Sequence, residues 1–264
     1  MQAVILCGGL GTRLREETEF RPKPMVNIGH HPILWHIMKI YAHFDIKDFI
    51  LALGYKGEMI KDYFIHYEVM NSDVTIELGK PKSLCLHNCH EEAGWKITLA
   101  NTGEKAMKGA RLKKVEPYIN GEIFMLTYGD GVADIKINAL LEFHEQHGKI
   151  ATVTGVNPAA QFGELKIKGD DVEAFSEKPK VSERGYVNGG FFVFNRAIFN
   201  YLNTDDACDL EYGVLEALAT EGELKIYKHP GFWACMDTIR DMEYLNNLWA
   251  HNKAHWKLWD QTSC

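Results

Sequence analysis

No stretch of this chain comes near the roughly 20 consecutive apolar residues that span a bilayer, and its start lacks the basic and apolar regions of a secretion signal. No membrane partner is expected. Basic charge is not in excess either: 29 Lys and Arg face 36 Asp and Glu, a net charge of −7. That balance argues against a nucleic-acid partner, which calls for a basic face. It leaves room for a small phosphate ligand, since one local cluster of Arg and Lys suffices. Cysteine is sparse, with six scattered residues. Such usage points to reduced thiols and a cytoplasmic location rather than a disulfide framework. Cys85-Leu86-His87-Asn88-Cys89-His90 has ligand-type side chains but lacks the paired spacing of a structural zinc site. It reads as a polar arm at a subunit contact. Repeats, low-complexity tracts and flexible linkers are missing. A 264-residue chain with 46% hydrophobic residues therefore suits a single domain with a sizeable core.

What is present is concentrated near the start. An apolar run from Ala3 to Leu6 breaks into Cys7-Gly8-Gly9-Leu10-Gly11-Thr12-Arg13-Leu14, followed by Arg21-Pro22-Lys23-Pro24-Met25. A buried strand ending in glycines brings backbone N–H groups close to an anion, because without Cβ atoms the loop reaches φ > 0 and approaches a phosphate directly. A helix beginning near Thr12 would add its N-terminal partial charge. Lys23 supplies a cation on a segment that two prolines keep out of helix. The segment reads as a nucleoside triphosphate cradle. It is not a Walker A loop, because Thr12-Arg13 follows Gly11, nor a dinucleotide fingerprint, because Leu14 replaces the third glycine. The glycines alone would be equally consistent with a plain tight turn.

Further along, short β-rich runs alternate with helical periodicity, the pattern of parallel strands joined by right-handed crossovers. The fold class expected is α/β: a Rossmann-like, mixed but mainly parallel sheet with helices on both faces. Strands are expected at Gln2–Leu6, Phe49–Leu53, Glu122–Thr127, Ala151–Val156, Val172–Glu177, Asn188–Phe194 and Leu224–Tyr227. Helices are expected over Pro32–Phe44, Met59–Tyr67, Gly109–Tyr118, Leu210–Ala219 and Thr238–Ala254. Asp73–Leu78 and Trp95–Ala100 alternate in the β manner and are expected to pair as a projecting arm, at about 70–105 of a single domain spanning 1–264. A helical tail at about 238–264 carries Trp249, Trp256 and Trp259, for the core or an oligomer interface. Asp134 reads as a helix cap before Ile135. Gly8–Arg13, Gly54 and Asp130 all fall at carboxyl ends of strands, where open α/β sheets bind ligands.

The opening string resembles the signature of the sugar-1-phosphate nucleotidylyltransferases, Gly-Gly-x-Gly-Thr-Arg-Leu followed by Lys-Pro-Lys-Pro-Met. Further matches run in the family's order: Pro32–Met38, Gly54–Gly57, Thr127–Val132, Asn188–Phe192, His229–Trp233 and Met236–Thr238. The likeness is strongest to the branch that joins CTP and glucose 1-phosphate. It implies the nucleotide-diphospho-sugar transferase type of fold, an oligomeric assembly, and Mg²⁺ held by Asp130 and Asp237. Nucleotidyl transfer between two anions needs charge neutralisation and in-line geometry more than acid–base work. Mg²⁺ suits that need and prefers carboxylate oxygens. Arg13 is expected on the leaving pyrophosphate, because a guanidinium grips two oxygens, and Lys23 beside the α-phosphorus. The nucleotide would lie against Leu6, Cys7, Gly8, Gly9, Leu10, Gly11, Thr12, Ala106, Arg111 and Gly129. On the sugar side the resemblance implies Phe162, Gly163, Glu177, Lys178, Asn188 and Gly189.

Three departures stand out. Ala106 replaces a small hydroxyl residue of the cytidylyltransferases. Their Phe-Trp-Gln-Pro-Met-Asp is here Phe232-Trp233-Ala234-Cys235-Met236-Asp237, and their Trp-Glu-x-Glu-Pro is Leu210-Glu211-Tyr212-Gly213-Val214. The activity implied is Mg²⁺-dependent formation of CDP-glucose and pyrophosphate, feeding deoxysugar and surface-polysaccharide synthesis. Alternatives are a transferase for dTTP, UTP or another phosphorylated acceptor, and a silent nucleotide-binding regulator.

Overall fold

The computed structural model describes residues 1–79, 84–87, 90–158, 164–168, 171–176 and 185–260, with 164–168 and 171–176 as backbone path only. All six residues of β1 (Gln2–Cys7) are buried. Ala3, Ile5 and Cys7 face one apolar layer and Val4 and Leu6 the other, which is why the strand reads as a continuous apolar run. A single turn at Thr12–Leu14 and α1 (Arg15–Thr18) follow. The helix expected near Thr12 is thus two short pieces. A two-stranded ribbon, β2 (Asn27–Ile28) and β3 (His31–Pro32), leads into α2 (Ile33–His43).

β4 (Asp48–Leu53), α3 (Gly57–Ile65) and α4 (Tyr67–Met70) come next. β5 (Val74–Ile76) pairs antiparallel with β6 (Leu84–Leu86), and β7 (Lys96–Asn101) lies parallel to β4 at the edge of the central sheet. This corrects the expected pairing of Asp73–Leu78 with Trp95–Ala100. Alternation in Lys96–Asn101 marks a half-covered edge strand; it says which face is buried but not which strand is the neighbour. Helix α5 (Lys108–Val115) returns to β8 (Ile123–Tyr128), and β9 (Gly131–Ala133) and α6 (Ile137–His147) follow.

In the second half come β10 (Ala151–Val156), the antiparallel pair β11 (Glu164–Lys168) and β12 (Asp171–Ser176), and β13 (Val187–Asn195). Then follow α7 (Glu216–Thr220), β14 (Leu224–Lys228), β15 (Trp233–Cys235) and α8 (Ile239–Ala250). The helix expected from Leu210 is broken at Tyr212 and Gly213, whose backbones are non-helical, before α7 begins.

The central sheet has seven strands in the order β14-β10-β13-β8-β1-β4-β7. Only β13 runs against its neighbours β8 and β10, and the other adjacent pairs are parallel. The sheet is therefore mixed and mainly parallel, as the alternation implies. One face is covered by α2, α6 and α8 through Ile37, Ile40, Leu140 and Leu245. The other is covered by α5 and α7 through Leu112, Val115 and Leu218.

The tail aromatics enter the core. Trp256 is fully buried, stacks on Phe232 with centroids 5.6 Å apart, and donates from Nε1 to His36 Nδ1 at 3.4 Å. His36 Nε2 donates to the carbonyl of Ile28 at 2.9 Å, so the ring is neutral, and burial lowers its pKa to about 3. Among the described residues no helix is long and apolar enough to cross a membrane.

Candidate active site

The carboxyl ends of β1 and β8 open into one cavity of about 550 Å³, within the range of small-molecule sites; neither β4 nor Gly54 after it lines this cavity. Its first wall is the loop after β1. Gly11 takes φ +64°, and a Cβ there would stand 2.6 Å from Thr18 Cγ2. Thr18 in turn donates to the carbonyls of Gly11 and Leu14, both at 3.0 Å, and so pins the turn to α1. Gly9 and Leu10 are exposed and Gly8 is buried.

Arg111 explains why Gly8 must be glycine. The guanidinium is buried and donates to the carbonyls of Gly8 (2.9 Å), Leu53 (3.2 Å), Gly103 (2.7 Å) and Glu104 (3.1 Å), and to Thr102 Oγ1 (2.8 Å). A Cβ on Gly8 would lie 2.1 Å from its Cζ, and one on Gly54 would lie 2.4 Å from a terminal nitrogen. Arg111 borders the cavity, but its terminal N–H groups tie the glycine loop to the ends of β4 and β7. In this structure it acts as a clamp beneath the loop.

Two aspartates close the floor. Asp130 follows β8 after Gly129. β9 pairs antiparallel with β15, setting Cys235 opposite Gly131, and the Met236 N–H donates to the Asp130 carbonyl at 2.9 Å. Asp237 therefore emerges beside Asp130. Its own N–H donates to Asp241 Oδ2 at 3.1 Å, next to the capping box in which Thr238 and Asp241 start α8. Lys23 Nζ lies 2.6 Å from Asp130 Oδ2 and 2.5 Å from Asp237 Oδ1. Arg13 adds a terminal nitrogen 3.0 Å from Asp237 Oδ1. Burial works against the Lys23 charge, yet the Asp130 charge, with the hydrogen bonds to both aspartates, outweighs it and raises its pKa. Burial first, then the charge of Asp130, pushes the Cys235 thiol well above its ordinary range. Ligand atoms of Asp130, Cys235 and Asp237 lie within 4.8 Å of one another, the one such grouping among the described residues. An acidic site able to hold a divalent cation is thus present.

Asn188 and Gly189 also line the cavity. Asn188 Oδ1 accepts from Gly190 N–H at 2.8 Å, and its Nδ2 donates to Tyr128 Oη at 3.1 Å. Tyr128 donates to Glu211, which also binds Lys108. Trp233 Nε1 donates to the Gly189 carbonyl at 2.8 Å.

Of the residues expected at the site, Leu6, Cys7, Gly8, Gly9, Gly11, Thr12, Arg13, Lys23, Ala106, Arg111, Gly129, Asp130, Asn188, Gly189 and Asp237 line this cavity. Leu10 does not; its side chain is 53% exposed on the outer side of the loop. Phe162, Gly163, Glu177 and Lys178 lie outside the described residues. Asp134 is not a helix cap, because α6 starts at Ile137 after Lys136; instead its carboxylate meets His229 Nε2 at 2.9 Å. Lys108, Tyr128 and Trp233 also line the cavity, and Glu211 binds the first two. Sequence reasoning passed over them because no local pattern marks a contact between distant elements. In the cysteine–histidine tract, His87 faces Thr75 at 2.8 Å and His90 faces Glu68 at 2.8 Å.

The family model for nucleotidyl transferases matches residues 2–242. The chain is 49% identical over 261 residues to the glucose-1-phosphate cytidylyltransferases of Salmonella typhimurium and Salmonella typhi, covering 98% of this chain and 100% of each of theirs. Among solved structures, the inositol-1-phosphate CTP transferase from T. maritima aligns with a TM-score of 0.66 at 14% identity, over 100% of this chain and 98% of that one. HddC from Yersinia pseudotuberculosis, complexed with GMP-PN, aligns at 0.65 and 22% identity, over 94% and 99%. At such identities the likeness is one of fold: the nucleotide-diphospho-sugar transferase type. With a match running from the first strand into the last helix and near-half identity along almost its whole length, this chain belongs to the nucleotidyl transferase family.

Proposed function

We propose that this protein transfers the cytidylyl group of CTP to glucose 1-phosphate, releasing pyrophosphate and giving CDP-glucose. The observation that carries the reading is the Lys23 ammonium held between Asp130 and Asp237 beside the glycine loop, in a chain 49% identical to curated enzymes of that name. A phosphate oxygen of the sugar phosphate attacks the α-phosphorus, and the bond from that phosphorus to the β-phosphate bridge oxygen breaks. No proton need move.

The chain's work is to neutralise and align the two anions. The glycine loop offers main-chain N–H groups to the triphosphate, and Arg13, exposed on that loop, reaches the departing pyrophosphate. Lys23 steadies charge around the α-phosphorus. Asp130 and Asp237 fit Mg²⁺, because their carboxylates already converge on one cation and hard oxygen donors are what that ion takes. When bound, Mg²⁺ supplies charge neutralisation on the phosphates. Asn188 and Gly189 stand where a hydroxylated acceptor would lie. Phe162, Gly163, Glu177 and Lys178 belong to the same reading of the sugar side.

A homo-oligomer is part of the proposal. Ile76, Leu84 and Leu86 of the β5–β6 hairpin are 55%, 46% and 40% exposed, an apolar surface that a second copy would cover. Cytoplasmic location follows from the substrates and the thiols.

Ala106 favours a second reading, in which dTTP, UTP or another sugar phosphate is used, since a methyl group borders the cavity where a hydroxyl contact would lie. Pyrophosphate release from CTP, dTTP, UTP, ATP and GTP, each crossed with a panel of sugar 1-phosphates, tests both, with products identified by mass spectrometry. CDP-glucose as the preferred product supports the proposal. Preference for another base or acceptor replaces it with the second reading.

A further inference from the structure

The cation site contains a side chain that the proposed reaction does not use. Cys235 closes β15 opposite Gly131, and its Sγ belongs to the same group of ligand atoms as the Asp130 and Asp237 oxygens, all within 4.8 Å of one another. It lines the cavity. The ribbon that sets the two aspartates side by side is the element that aims this sulfur. The Lys23 ammonium already bridges the two carboxylates, so the position between them suits a positive charge.

We propose that Cys235 makes this a mixed carboxylate–thiolate site, which takes thiophilic divalent ions such as Cd²⁺ and Zn²⁺ in competition with Mg²⁺. The inference rests on the reading of Asp130 and Asp237 as the cation ligands and adds a third donor specific to this chain. Magnesium has no use for sulfur and keeps its waters, whereas zinc-like ions accept two oxygens and a thiolate readily. A tetrahedral ion with bonds of about 2.1 Å to oxygen and about 2.3 Å to sulfur needs its ligand atoms roughly 3.5 Å apart. Closing the present 4.8 Å spread to that value takes about 1 Å of side-chain movement. Binding forms the metal–sulfur bond in place of the S–H bond, and the proton passes to buffer. No electrons change hands. The ion also replaces the Lys23 ammonium, which swings out on its flexible stem.

The test titrates metal-free wild type, C235S and C235A with Cd²⁺ and follows the ultraviolet sulfur-to-cadmium charge-transfer band. The other cysteines contribute to every spectrum, so the difference between wild type and either variant reports Cys235 alone. The expected result is a stoichiometric difference band that disappears in D130N and collapses on adding excess Mg²⁺. Loss of a directly ligating sulfur should weaken Cd²⁺ at this site by at least the roughly ten- to hundredfold that losing an outer-shell partner costs. Mn²⁺ binding, read by electron paramagnetic resonance, should shift by less than about threefold, since that ion relies on oxygen donors. Superimposable cadmium titrations, or a difference band indifferent to Mg²⁺ and to D130N, overturn the inference. If they do so while Mn²⁺ still binds through Asp130, the proposed function stands and the sulfur ligand alone is wrong. If Mn²⁺ binding does not depend on Asp130, the reading of the aspartate pair falls and takes this inference with it.

Discussion

Cys235 stands opposite Gly131 in a ribbon of three residues a side, and this pairing brings Asp130 and Asp237 together from distant parts of the chain. The Met236 N–H to the Asp130 carbonyl locks the ribbon at its open end, and the capping box of α8 fixes Asp237 from the other side. The acidic pair is therefore held by strand and helix ends rather than by loops. Such placement gives the positional precision that in-line transfer demands.

Lys23→Met should remove both the phosphate contact and the internal counter-ion. Turnover is expected to fall about 10²–10³-fold, the range for losing one preorganised electrostatic contact. With both carboxylates about a quarter exposed, the stability loss in chelator should be only about 1–2 kcal/mol. Thermal melts with and without Mg²⁺ check this: added Mg²⁺ should raise the midpoint of the variant more than that of wild type.

Arg111→Met should remove the guanidinium hydrogen bonds to the carbonyls of Gly8, Leu53, Gly103 and Glu104 and to the Thr102 hydroxyl. A cost of about 1–3 kcal/mol follows from losing the hydrogen bonds of a charged donor, since the buried carbonyls of Leu53 and Gly8 keep other donors in Thr102 and Tyr55. Urea unfolding measures it. Nucleotide KM should rise in parallel, because the glycine loop loses its clamp. Gly8→Ala should mimic the effect, since its Cβ would sit 2.1 Å from Arg111 Cζ.

Stability should fall as the solution is acidified. His36 has a folded-state pKa near 3, below its unfolded value, so from about pH 6.5 downward the unfolded chain binds a proton that the folded one refuses. The stabilisation is complete above pH 6.5 and erodes as pH falls toward 3, by about 2 kcal/mol at pH 5. His144, lowered to about 4 chiefly by burial, adds in the same direction. Denaturant midpoints from pH 7 to pH 5 test this, and His36→Gln should flatten the slope.

Trp256→Ala should cost about 3–5 kcal/mol, as for other large aromatic truncations in a core. The indole is fully buried against Phe232 and His36. Thermal unfolding measures the loss; a surface-tail role would leave the midpoint unchanged.

Much of the architecture was legible because it is written locally. The apolar run Ala3–Leu6, the broken glycine loop and the strand before Asp130 each announce a strand end, and strand ends in this topology face one cleft. That Arg13, Lys23, Asp130 and Asp237 meet in one cavity follows from those placements together with the family likeness. What stayed hidden depends on partners. Lys96–Asn101 alternates like a hairpin strand but sits at the sheet edge beside β4. Asp134 precedes a helix but turns to His229 instead. Arg111 reads from the family likeness as a nucleotide contact, whereas its N–H groups go to five separate residues around the loop. The contacts of Lys108 and Tyr128 with Glu211 join distant elements, and no spacing rule records such a meeting.

The most direct test of the central claim is Mn²⁺ binding to wild type, D130N and D237N, read by electron paramagnetic resonance alongside pyrophosphate release. Wild type should hold one ion at this cavity, and each variant should lose that site and its turnover while its circular dichroism stays unchanged. Unaltered Mn²⁺ affinity, or full turnover, in a folded D130N variant would contradict the account.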